Sequence, residues 1–217
     1  MIAAVQKLLN IKASADDIGR TAIEIEQKII CEKVGSQDQM AAALGGFNKI
    51  DFLPKGHIKH SPIYLTEAVR HSLFRSMRLI YTNIQRSSSS VTDQQIKNTK
   101  KGTIDIYLSR LKGLTEKVYQ DLLKNDISNF GKCLNEAWEL KKNFTTNITN
   151  SDIDKIYNKG LNSGAQGGKL LGAGNGGFLL FIVPEDALEQ FEYSFSDQII
   201  LKIESSSCGV ESKDIDI

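Results

Sequence analysis

The sequence predicts an α+β protein in which helices pack against largely antiparallel sheets. Three observations carry that expectation. Apolar residues recur at helical spacing through 93–101, 103–124, 127–142 and 151–162. Short runs of strand type stand at 47–52, 77–82, 178–183 and 198–203. The two kinds of segment follow one another without the strand-helix rhythm of a parallel sheet, and no internal repeat is present.

The opening, Met1-Ile-Ala-Ala-Val-Gln-Lys-Leu-Leu, reads as a helix already under way, because no capping residue precedes it. A second helix starts cleanly at Ser14, with Asp17 in the capping-box position and Ile18, Ala22, Ile25 and Ile29 at helical spacing as far as about Glu32. A short helix from Asp38 to Leu44 ends at Gly45-Gly46. The strand at 47–52 then leads into a Pro/Gly/His turn over 53–62. The serine run Ser87–Ser90 reads as a loop and places a domain boundary near residue 86. The expected division is therefore 1–86, 87–203 and a polar tail at 204–217. Gly164–Gly177 is the densest glycine stretch; it feeds the strand at 178–183, and Pro184 opens a helix near 185–193.

Composition narrows the function. The 217 residues carry 27 basic and 26 acidic side chains, a net charge of +1, and 41% hydrophobic residues, which is enough apolar chain for a real core. A balanced charge without a dense Lys/Arg run argues against nucleic-acid or membrane-surface binding. The longest wholly apolar run, 178–183, is far short of the roughly 20 residues that span a bilayer, and no leader opens the chain. A cytoplasmic protein is expected. Cys31, Cys133 and Cys208 are scattered and read as buried or spare thiols, and His57, His60 and His71 lack zinc spacing. Trp138 reads as a core anchor.

Three features carry candidate chemistry. The segment Gly172-Ala-Gly-Asn-Gly-Gly177 formally contains GxGxxG, yet it follows a helix and precedes a strand, the reverse of a dinucleotide-binding turn. It is not a mononucleotide loop either, since Lys169 is followed by Leu170. Glycines this dense permit close approach of backbone to a ligand, or a tight mobile connection, and Asn175 tolerates positive φ. Glu26 is the second feature. At 100° per residue it falls about 80° from Ile18, between Ala22 and Ile30, on the apolar side of its helix. A carboxylate there needs a metal, a salt bridge or an edge position. Asp38, at the start of the short helix, is the third. A helix N-terminus favours its negative charge, which suits either a cap or a group that steers a hydroxyl proton in phosphoryl transfer.

Together the residues resemble a known superfamily. Gly35-Ser-Gln-Asp-Gln-Met-Ala-Ala-Ala-Leu-Gly-Gly-Phe-Asn and, far downstream, Gly167-Gly-Lys-Leu-Leu-Gly-Ala-Gly-Asn-Gly-Gly-Phe-Leu-Leu-Phe are similar to motifs of the GHMP small-molecule kinases. Thr82-Asn-Ile-Gln-Arg86 and Trp138-Glu-Leu-Lys-Lys resemble intervening segments of the bacterial D-glycero-D-manno-heptose 7-phosphate kinase group. The similarity runs from Met1 to about Val183.

The resemblance implies the latter part of a ribosomal S5 domain 2-like domain followed by a ferredoxin-like GHMP kinase C-terminal domain. It implies an ATP-dependent sugar-phosphate kinase that uses Mg2+. Asp38 maps to the base or orienter at the substrate hydroxyl and Glu26 to the magnesium ligand. Gly172, Ala173, Gly174, Asn175, Gly176 and Gly177 map to a loop that holds the transferring phosphate or the sugar. Gln37, Thr82 and Arg86 are further substrate-binding candidates. Asn175 and Asn83 stand where the family pattern has glycine. The family's ATP-phosphate loop is expected ahead of the first helix, outside this chain. The expectation is thus a kinase incomplete for catalysis by itself, completed by a separate N-terminal fragment or by upstream sequence, the alternative being a non-catalytic pseudokinase fragment or partner-binding subunit.

Overall fold

The computed structural model describes residues 1–84 and 89–213. The chain divides by packing into two compact units, Met1–Tyr64 with Ser205–Ile217, and Leu65–Glu204.

The first unit is built on three helices. Helix α1 (Ile2–Leu8) has no side-chain cap, as its sequence implies. Helix α2 (Ala15–Glu24) opens with the full capping box: Asp17 N donates to Ser14 Oγ at 3.1 Å, and Ser14 N donates to Asp17 Oδ2 at 3.0 Å. The helix does not continue as α to Glu32. From Ile25 to Ile29 it widens into a π-turn, closed by Ile30 N donating to Ile25 O at 2.8 Å. The changed pitch rotates the end of the helix, and Ile29, expected on the buried face, is 71% exposed. Helix α3 (Gln37–Leu44) packs on α2, where Gly19 allows the approach, since a Cβ there would lie 2.7 Å from Met40 Sδ.

Strands β1 (Asn48–Phe52) and β2 (Ile58–Pro62) form an antiparallel pair with Ile50 opposite His60. The segment 53–62, expected as a turn, therefore holds a strand. Residues of the expected polar tail add to this unit: Gly46 N donates to Ser206 O at 3.0 Å and Val210 N to Ala43 O at 3.3 Å.

The second unit is a four-stranded sheet with helices. Helix α4 (Glu67–Ser76), unanticipated from sequence, is capped by Thr66 and runs straight into β3 (Met77–Tyr81). Helices α5 (Ser89–Lys100), α6 (Asp105–Leu123), α7 (Phe130–Lys141) and α8 (Ser151–Asn162) come next, close to the predicted spans. Strand β4 (Gly167–Leu170) lies inside the glycine-dense stretch, where sequence suggested loop; pairing and burial override the weak strand propensity of glycine. Strand β5 (Phe178–Ile182), a 3-10 turn, α9 (Leu188–Ser194) and β6 (Ile200–Lys202) complete it.

The sheet order is β4-β5-β3-β6, all antiparallel. Read from the other edge it runs fourth, first, third, second, the arrangement of a ferredoxin-like fold. Strand β3 precedes the boundary expected near residue 86, yet it pairs here with β5 and β6. Phe181 sits at the centre of the core, its ring 5.4 Å from Phe191 and 5.6 Å from Tyr157, with Trp138, Ile153 and Phe195 fully buried around it. Gly160 on α8 leaves room for that ring. Cys133 is buried and Cys31 and Cys208 are exposed thiols. Among the described residues no helix is long and apolar enough to cross a membrane.

Candidate functional site

Each unit presents one group of candidate residues. In the first unit, Glu26 and Asp38 line a single concavity of about 460 Å³ with Ile18, Ala22 and Gln39. Glu26 rides on the π-turn, and Asp38 stands in the first turn of α3, exposed beside the helix N-terminus. The turn before α3 is tied to the π-turn by Gln27, whose amide donates to Val34 O and Ser36 Oγ, each at 3.0 Å. Gln39 Nε2 donates a short hydrogen bond to Glu26 Oε2. The other end of that amide, Gln39 Oε1, is buried and has no donor among the described residues. Gln37, at the first position of α3, is exposed.

A half-buried carboxylate, an exposed one and a buried oxygen awaiting a donor suit a hydrated Mg2+, which typically takes one or two carboxylates and fills its shell with water and phosphate oxygens. The residues present fit that ion. Among the described residues there is no set of three or more His, Cys, Asp or Glu that would hold a metal by itself.

In the second unit the glycine loop joins β4 to β5. Gly172, Gly174, Gly176 and Gly177 have φ of 74°, 125°, 155° and 99°, and Asn175 has φ of 68°. The run of positive φ explains the glycines, and Asn175 occupies the left-handed region it tolerates. Carbonyls of the loop are tied to the scaffold. Gly172 O accepts from Lys141 Nζ, Ala173 O from Gln95 Nε2 at 3.2 Å, and Gly177 O from Thr82 N and Oγ1 at 2.9 and 2.8 Å. Asn175 N donates to Ile148 O at 2.8 Å and Gly177 N to Ile84 O at 3.1 Å. The amides of Gly172, Ala173, Gly174 and Gly176 have no acceptor among the described residues. A loop with anchored carbonyls and open amides leaves backbone donors available to a ligand.

Thr82 is 5% exposed, and its hydroxyl is committed to Gly177 O, so in this structure it positions the loop. Arg86 lies outside the described residues, as do Ser87 and Ser88 of the expected serine loop.

Three side chains not singled out from sequence belong to these sites. Gln39 directly follows Asp38, so its motif was visible without its role. Lys141 and Lys169 flank the loop. Burial, and then the charge of Lys169, lowers the Lys141 pKa to about 8, and burial lowers that of Lys169. The sequence signal was present in Trp138-Glu-Leu-Lys-Lys and Gly-Gly-Lys, but only packing shows the two ammonium groups poorly solvated.

Residues 118–200 match the family model for the GHMP kinase C-terminal domain. The chain is 28% identical over 188 residues to a D-glycero-alpha-D-manno-heptose 7-phosphate kinase of Campylobacter jejuni, covering 84% of this chain and 54% of that protein. It superposes on a D-glycero-D-manno-heptose 1-phosphate kinase from Bacteroides thetaiotaomicron with a TM-score of 0.62 at 25% identity, covering 92% of this chain and 55% of that one. The L. major mevalonate kinase, at 16% identity, shares the fold with a TM-score of 0.67 over 94% of this chain and 63% of that one. The chain thus spans about half the length of the curated relative it matches.

Proposed function

We propose that this chain, a GHMP kinase relative whose residues 118–200 are the superfamily's C-terminal domain, takes part in ATP-dependent phosphorylation of a hydroxyl on a sugar phosphate of the D-glycero-D-manno-heptose 7-phosphate type. The observation that carries the reading is the glycine loop, whose carbonyls are bound to the scaffold while four of its amides have no acceptor among the described residues. Such amides stabilise charge on a transferring phosphoryl group without reorganisation.

In this reading Asp38, exposed at the first turn of α3, orients the attacking hydroxyl and accepts its proton. Glu26, held by Gln39, is the Mg2+ ligand. The ion, when bound with ATP, neutralises charge on the phosphates. Thr82 holds the end of the loop, and Gln37 and Arg86 are proposed to contact the sugar phosphate. Residues 1–64 are taken as the latter part of an N-terminal kinase domain and 87–203 as the C-terminal domain, whose sheet also takes in β3 from ahead of the boundary expected at residue 86.

The test is ADP release from MgATP and D-glycero-D-manno-heptose 7-phosphate by the protein in its full natural reading frame. Loss of general-base action in Asp38→Asn lowers turnover about 100-fold or more. Undiminished turnover in Asp38→Asn refutes the role of Asp38. MgATP binding without any ADP release favours the non-catalytic alternative.

A further inference from the structure

Glu26 is half-buried, yet among the described residues no basic side chain pairs with it: Arg20 is committed to Asp16 and Lys28 to Glu24. The concavity it lines contains a second carboxylate, Asp38, and no Lys, Arg or His among the described residues. The one side chain that meets the Glu26 carboxylate is the Gln39 amide.

An amide beside a carboxylate presents its NH2 group, because the carboxylate accepts and does not donate. The bond from Gln39 Nε2 to Glu26 Oε2 therefore fixes which way the amide faces, and it turns Gln39 Oε1 away into its buried position without a donor. It also makes the two oxygens of Glu26 unequal. Oε2 is occupied by Gln39, whereas Oε1 has no hydrogen-bond partner among the described residues.

The surrounding turns hold this bond in place. Gln39 stands in the first turn of α3, and Gln27, next to Glu26 on the π-turn, donates to Val34 O and Ser36 Oγ across the same junction. Ser36 makes no cap bond to α3; its hydroxyl accepts from Gln27 instead. Two neighbouring residues of one π-turn are thus tied to the start of one helix. Turning the Glu26 carboxylate to present both oxygens to the concavity breaks the Gln39 bond.

That constraint discriminates between ions. Ca2+ takes roughly six to eight oxygens at about 2.3–2.6 Å and readily uses both oxygens of one carboxylate. Mg2+ demands a near-ideal octahedron at about 2.0–2.1 Å, which the narrow bite of a two-oxygen carboxylate fits poorly. We propose that Gln39 is a positioning residue that sets metal selectivity: by occupying Glu26 Oε2 it leaves Glu26 a one-oxygen ligand and so favours Mg2+ over Ca2+. The proposal rests on the reading of Glu26 as the metal ligand and adds to it the choice of ion.

The experiment is competition of Mg2+ and of Ca2+ against Mn2+, followed by the electron spin resonance of free Mn2+, on the protein in its full natural reading frame without nucleotide. Gln39→Leu frees Glu26 Oε2, and Ca2+ is expected to gain on Mg2+ by about tenfold. Gln39→Glu keeps the shape, replaces the donor by a repelling carboxylate and should move the ratio the same way, which keeps the test open where Leu disturbs folding. Gln27→Leu breaks only the neighbouring tie; it should weaken both ions together and leave their ratio within about twofold. A purely structural role for Gln39 predicts that same pattern in Gln39→Leu. An unchanged ratio in both Gln39 variants, with Mn2+ binding still weakened in Glu26→Gln, overturns the proposal and leaves Glu26 as the ligand. Equal Mn2+ affinity in wild type and Glu26→Gln removes the ligand and the proposal with it. A shifted ratio without any ADP release from MgATP and heptose 7-phosphate upholds the selectivity role and refutes the kinase reading instead.

Discussion

Removing the carboxylate of Glu192 exposes how the second unit tolerates a buried arginine. Arg78 on β3 is 4% exposed, and its Nε and Nη2 both lie 2.7 Å from Glu192 Oε1 on α9. Its Nη1 donates to Arg75 O at 2.7 Å and Met77 O at 2.8 Å, which survive the substitution. Glu192→Ala thus deletes two charge-assisted bonds and leaves a guanidinium only half satisfied. Each such bond contributes about 1.5 kcal/mol at the low end, the proper end here because the carboxylate is a third exposed and shared with Lys202 at 3.5 Å. The expected loss is about 3 kcal/mol.

Trp138 is the only tryptophan and is buried in this unit, so its fluorescence during urea unfolding reports the unit directly. The double variant Arg78→Met, Glu192→Leu removes both charges and is expected to fall within about 1 kcal/mol of wild type. Burial raises the Glu192 carboxyl, but the Arg78 bonds outweigh it and hold the group below the ordinary carboxylate range. The stabilisation is therefore fully present above the unfolded value of about 4.3 and is lost as pH falls through the lower folded value. The gap between wild type and Glu192→Ala narrows in that acid range. A loss below about 1 kcal/mol at pH 7, or a double variant as unstable as the single one, refutes the reasoning.

Gly174 has φ of 125°, and a Cβ there would lie 3.0 Å from Ile148 O, so Gly174→Ala displaces the loop. Turnover in the kinase assay should fall about 100-fold, with stability changed by less than about 2 kcal/mol because the strain is local. Glu26→Gln removes the charge but keeps the shape; the Mg2+ concentration for half-maximal activity should rise about tenfold or more, and an unchanged value rejects Glu26 as the ligand. Gly160→Ala drives a methyl group into the Phe181 ring and should lower unfolding stability by about 1–3 kcal/mol, measured by urea titration.

Much of this molecule is legible in local pattern. The Ser14–Asp17 cap, the helices from 105 to 162 and the strands at 77 and 178 emerge from periodicity and capping alone, because each depends on residues within a few positions of one another. Asp38 and the glycine loop were visible as motifs for the same reason. Strand β2 was hidden by the Pro, Gly and His residues of 54–62, which suggest turns, whereas helix α4, free of Pro and Gly behind its Thr66 cap, was not recognised. Strand β4 was hidden because glycine weakens the strand signal that its pairing with β5 overrides.

By itself, the sequence determined the α+β class, most of the element order, and which carboxylates and glycines stand out. Only the tertiary structure decided what surrounds them. The π-turn under Glu26 reorients the end of α2, so a wheel drawn at a constant 100° mislaid Ile29. Gln39, brought to Glu26 by the packing of α3 on α2, could not be assigned from either helix separately. Lys141 and Lys169 looked like ordinary solvated lysines; their desolvation depends on α7 lying along β4, a contact between residues some 30 positions apart. Periodicity records what each residue prefers, whereas charge, burial and hydrogen-bond satisfaction are set by neighbours that only the folded chain supplies.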